Sequence, residues 1–109
     1  MKIAHVCLTN RWGGQEILVR DVAVQQKLEH SDVFCVTRKE SPLSLEIHKA
    51  DIGQLEYLGG LQYFTFPYLV RQYVYDNDIN IVHFHQLKSV RRFVPLLSAL
   101  KGTALLFTE

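Results

Sequence analysis

Two short stretches carry the residues of this chain best suited to chemistry. "TNRWGGQE", residues 9–16, sets two glycines and a tryptophan beside a carboxylate, and "VHFHQLKS", residues 82–89, sets two histidines beside a lysine. Gly13 and Gly14 have no Cβ, so a ligand can approach their backbone closely. If a helix starts just after them, its first N–H groups point outward at the positive end of the helix dipole, a natural seat for an anion. The spacing matches neither G-x-G-x-x-G nor G-x-x-x-x-G-K-[ST], so the pair reads either as a phosphate loop or as a plain turn. Trp12 reads as a surface for stacking a ligand or as a lid packed over its own loop. Gln15 and Glu16 complete the loop, and a carboxylate at Glu16 is favourable in a first helical turn whether or not it contacts a ligand.

In the second stretch, strand alternation sends His83 and His85 to one face. His85 is expected further out, where its imidazole can donate to a phosphate or a sugar hydroxyl, and His83 is expected in the core. No third and fourth ligand lies at recognisable spacing, so no metal site and no cofactor are expected. Lys88, Arg91 and Arg92 form a basic patch at the start of the following helix, either a solvated face or a contact for an anionic headgroup.

These loops need elements to hold them. The chain has 109 residues, 48% of them hydrophobic, enough for one domain with one core. A formal charge of +1 provides no general field for nucleic acid. No apolar run approaches the ~20 residues that span a bilayer, which makes the cytoplasm the expected compartment. Cys7 and Cys35 lie in apolar runs and read as buried, reduced thiols. Lys2–Leu8, Asp32–Thr37, Gln54–Tyr57, Asn80–Phe84 and Thr103–Thr108 read as strands. Helices are expected over 16–28, 44–50 and about 66–76, the last with Pro67 in its first turn, and from about Ser89 until Gly102. In the first helix Leu18, Val22 and Ala23 should share the inner face. Pro95 should bend the last helix. Strands alternating with helices predict a Rossmann-like three-layer α/β sandwich with a parallel sheet of about five strands in the order 3-2-1-4-5. In that order both loops lie at the carboxyl ends of adjacent strands, at the switch point where such sheets bind ligands.

Taken in order, "MKIAHVCLTNRWGGQE", "LEHSDVFCVTRK", "DINIVHFHQLKS" and "KGTALLFTE" resemble the amino-terminal domain of family 4 glycosyltransferases with the GT-B fold. The resemblance implies metal-independent, retaining transfer of a sugar from a nucleotide-sugar donor to a glycan or lipid-linked acceptor. It implies that Gly13 and Gly14 approach the donor phosphates and that His85 and Lys88 line the interdomain cleft. It assigns no catalytic residue within the chain. The carboxy-terminal domain that grips the donor, with its E-x-x-x-x-x-x-E motif, has no counterpart here, so the chain is expected to be inactive alone, with peripheral membrane contact as a further expectation. A second reading is a self-associating binding module that forms a homo-oligomer through the edge at Ala104–Phe107. A third is a flavodoxin-type nucleotide binder.

Overall fold

The structure is a computed structural model that describes residues 1–85 and 93–108. Its elements follow one another as β1 (Lys2–Cys7), α1 (Gly14–Leu28), β2 (Asp32–Arg38), α2 (Pro42–Lys49), β3 (Gly53–Tyr57), α3 (Gln62–Asp76), β4 (Ile81–Phe84) and β5 (Ala104–Phe107), with residues 93–97 also helical. All strand pairs are parallel and the order is β3-β2-β1-β4-β5, the expected Rossmann-like arrangement.

β1 sits in the middle because it is apolar on both faces. Ala4 and Val6 point into one core with Val36, Val82, Phe84 and the helix residues Phe66, Val70, Val74, Phe93 and Leu97. Cys7 points into the other, with Cys35, Val19, Ala23, Leu43 and Ile47. Helices α1 and α2 therefore cover one face of the sheet, and α3 with the helical residues 93–97 covers the opposite face. Beyond α1, the first face carries the half-buried His83 and the half-exposed Leu106, which are register partners on β4 and β5. The two thiols are free and buried, as expected, and burial pushes Cys35 up to about 12.

Three local expectations are corrected. On α1 the buried residues are Glu16, Val19 and Ala23, while Leu18 is exposed, because the helix is rotated by about one position from the anticipated face. Helix α3 begins at Gln62, not near Phe66, so Pro67 lies inside it. The chain enters α3 through Gly59 and Gly60, both at positive φ, and its first bonds, from Gln62 N–H to the Gly59 carbonyl and from Tyr63 N–H to the Gly60 carbonyl, span three residues. That tight first turn starts the helix early, and Pro67 then packs as a buried apolar residue. Helix α2 starts at Pro42, capped by Ser41, whose hydroxyl accepts from the Ser44 N–H at 3.1 Å. Gly102, at φ +82°, makes the expected left-handed turn before β5. The expected start of the preceding helix near Ser89 lies outside the described residues.

Candidate functional site

The carboxyl ends of β1, β4 and β5 come together at one rim of the sheet. There Gly14, Gln15, Leu18, His85 and Thr108 line a hollow of about 410 Å³. Gly13 is the N-cap of α1, and no side chain caps that end of the helix. Its backbone is extended, with φ −164°, so the glycine is not required by conformation. Nor does space require it: a Cβ on Gly13 would lie 3.4 Å from Glu16 Oε1, an ordinary contact, and a Cβ on Gly14 would meet nothing within 4 Å. Gln15 crosses the rim and donates its side-chain amide to the His85 carbonyl, joining α1 to the end of β4.

The two sequence stretches therefore do meet at the switch point, but not every residue in them faces the hollow. Glu16 is buried and accepts a hydrogen bond from Thr9 Oγ1 at 2.8 Å, so its carboxylate braces the β1–α1 loop from beneath. Trp12 is 39% exposed and turns toward α2, where it borders a separate hollow with Pro42, Leu45, Glu46 and Lys49. The Arg20 guanidinium lies 5.2 Å from the Trp12 ring centroid and pairs with Glu46 at 3.2 Å. Lys88, Arg91 and Arg92 lie outside the described residues.

The histidines invert the expected order of burial. His85 is only 3% exposed, because α1 and Gln15 close over the end of β4, while His83 is half-buried on the part of the sheet face that α1 leaves open. A third histidine joins them. His5 of β1 is the register partner of His83, and its Nδ1 lies 2.9 Å from His85 Nε2. His5 Nε2 lies 2.6 Å from Gln26 Oε1 of α1. A carbonyl oxygen can only accept, so His5 Nε2 carries the proton, its Nδ1 accepts, and His85 Nε2 donates. The His83 and His85 rings stack with centroids 4.0 Å apart, and His83 Nε2 is hydrogen-bonded to Thr108. Burial holds all three imidazoles neutral. It lowers His85 to about 3, reinforced by His83 and His5, and it also lowers His5 and His83 below the usual histidine range. Sequence reasoning missed His5 because it lies 80 residues from His85 and the pairing of β1 with β4 alone brings them together.

The architecture defines a class: a parallel, doubly wound α/β domain with a ligand-sized hollow outside the carboxyl ends of its strands. The sequence matches no protein-family model and no curated protein. Similar solved structures exist. A glycosyltransferase from Rickettsia africae superposes on 99% of the chain with a TM-score of 0.80 and 18% identity. Anabaena Alr3699/HepE, solved in complex with UDP-glucose, superposes on 98% with a TM-score of 0.74 and 14% identity. The C-terminal domain of the PF1911 hydrogenase from Pyrococcus furiosus superposes on 99% with a TM-score of 0.72 and 15% identity. The chain spans 29% of the first structure and 28% of the second, but 90% of the hydrogenase domain. Identities this low establish the shared fold, which glycosyltransferase domains and a hydrogenase domain have in common.

Proposed function

We propose that this chain is the amino-terminal, acceptor-side domain of a retaining GT-B glycosyltransferase, one that moves a sugar from a nucleotide-sugar donor to a glycan or lipid-linked acceptor. The observation that carries the reading is the hollow at the switch point, bounded by Gly14 and Gln15 at the uncapped start of α1 on one side and by His85 and Thr108 on the other. Helix N–H groups with no side-chain cap favour an anion there, and a donor's diphosphate is such an anion. The likeness to glycosyltransferase structures over less than a third of their length supports a division of labour in which a second domain completes the site. On this reading Gly13 and Gly14 form the phosphate wall, Gln15 and His85 the floor, and the chain alone transfers no sugar. Trp12 and Glu16 then act through the shape of the loop, away from the ligand. Lys88, Arg91 and Arg92 are proposed to serve the acceptor side and an anionic membrane surface.

Amide NMR of the chain titrated with UDP, UDP-glucose and inorganic pyrophosphate tests this. Shifts centred on the amides of Gly13 to Glu16 and on Thr108 are expected. Shifts confined to other surfaces, or none with any diphosphate, would overturn the phosphate wall. Sugar transfer by the isolated chain would overturn the division of labour.

A second reading, self-association, is favoured by β5. It is an end strand of the described sheet, and Leu106 and Phe107 on it are half-exposed. Light scattering decides between the two: a monomer at high concentration removes the second reading.

A further inference from the structure

The three histidines do not form the wall of the hollow described above. Only His85 reaches it, and His5 and His83 lie behind, on the sheet face beside α1. From their arrangement we propose that His5, His83 and His85 form a three-imidazole binding site for a borderline divalent transition metal ion of the zinc, cobalt or nickel type.

Each ring offers one nitrogen, and the three nitrogens lie within 4.8 Å of one another. An ion held at about 2.0–2.1 Å from each nitrogen in a tetrahedron keeps its ligand atoms about 3.3 Å apart. The His5–His85 pair, at 2.9 Å, needs to open by a few tenths of an ångström, and the widest pair needs to close by up to about 1.5 Å, a movement that rotation of the half-buried His83 ring supplies. Neutral imidazole is the form that binds such ions, and the surroundings already hold the rings neutral. Imidazole-only ligation suits zinc, nickel and cobalt and is a poor match for magnesium or calcium, which take oxygen ligands.

The surroundings of the rings add a second, independent indication. A histidine that binds a metal through one nitrogen ordinarily donates its other N–H to a nearby acceptor, which fixes the tautomer and the ring plane. His5 does so: its Nε2–H is committed to Gln26 Oε1, leaving the Nδ1 lone pair directed at His85. The His83 ring is held too, by the hydrogen bond between its Nε2 and the Thr108 hydroxyl. On binding, the ion replaces the proton now shared between His5 and His85. That proton passes to His85 Nδ1, two nitrogen–metal bonds form in place of one hydrogen bond, and His83 supplies the third. The fourth position is left for water or an anion. The inference stands on this geometry alone and does not depend on a role in sugar transfer.

Cobalt(II) added to the tag-free, metal-stripped chain tests it. Expected are one equivalent bound, intense visible bands of four-coordinate cobalt in place of the pale six-coordinate spectrum, no thiolate-to-cobalt charge-transfer band, and displacement by zinc. His83→Ala, at a half-buried position, should abolish the four-coordinate spectrum while circular dichroism is unchanged. Gln26→Ala, which leaves all three rings in place, should weaken binding about 10–100-fold. A double His30→Ala, His48→Ala variant, removing the chain's other two histidines, should bind as the parent does. The proposal is overturned by an unchanged six-coordinate spectrum, by a thiolate band, by full affinity in either His83→Ala or Gln26→Ala, or by loss of binding in the double variant.

Discussion

Acidification below about pH 6.5 should destabilise this fold, and the cause is the neutral histidine pair toward the carboxyl ends of β1 and β4. In the unfolded chain a histidine takes up its proton near the ordinary value of 6.5, whereas His85 in the fold does so only near 3. Between those limits the unfolded chain holds the extra proton. Stability is therefore complete above about pH 6.5 and falls as the pH drops toward 3, by about 1.4 kcal/mol per pH unit for one such group. At about pH 5 the loss from His85 alone is roughly 2 kcal/mol, a figure that applies because the ring is 3% exposed. His5, equally buried, acts in the same direction, and half-buried His83 adds less. Glu46, held low by Lys49 and Arg20, titrates below its ordinary 4.5, outside the interval from about pH 7.5 to about pH 5 over which the histidines are followed. Urea unfolding followed by circular dichroism across that interval, with a chelator present, measures the effect. His85→Asn should remove about one proton from the pH slope. Stability that stays flat down to about pH 5, or a variant with the parent's slope, would refute the reasoning.

Other outcomes follow from the packing. Phe66 is fully buried and meets Tyr57 at 4.8 Å and Phe93 at 6.1 Å between ring centroids, so Phe66→Ala should cost about 3–5 kcal/mol in urea unfolding. Ser41→Ala removes the N-terminal side-chain cap of α2 and should cost about 1 kcal/mol in the same assay, with α2 amides exchanging faster. Cys7 and Cys35 are buried with thiols pushed upward, so both should resist Ellman's reagent in the native state and react at the rate of unfolding.

β1, β2, β4 and β5 were legible because each is a short, nearly continuous apolar run, the pattern of a parallel sheet, whereas β3 (GQLEY), at one end of the sheet, alternates polar and apolar residues. Alternation with helices then gave the order, and the order brought residues 9–16 and 82–89 to one rim. Less legible were features that depend on rotation or distance. A carboxylate at Glu16 reads as a surface residue, and only the rotation of α1 carries it beneath the loop to meet Thr9. Pro67 signalled a helix start, but the glycine-led turn at Gly59 and Gly60 begins α3 earlier. His5 gave no local sign at all, since a single histidine in an apolar strand resembles any core residue. Its partner becomes readable once β1 is laid beside β4 in register, which pairs it with His83.

That register also bears on the order in which the molecule is built. β1, β2 and β3 are joined by successive short crossovers, so their pairings close modest loops, whereas β1 meets β4 across a far longer separation, with Ile3 opposite Ile81. Loop closure alone separates the two events by little, since each doubling of loop length adds about 0.6 kcal/mol. Synthesis separates them by much more, because residue 81 leaves the ribosome after β1 to β3 are complete. The imidazole cluster straddles the seam between the early and late halves. Its assembly coincides with docking of the second half, making the environment of His5 a marker of the moment at which the sheet becomes whole.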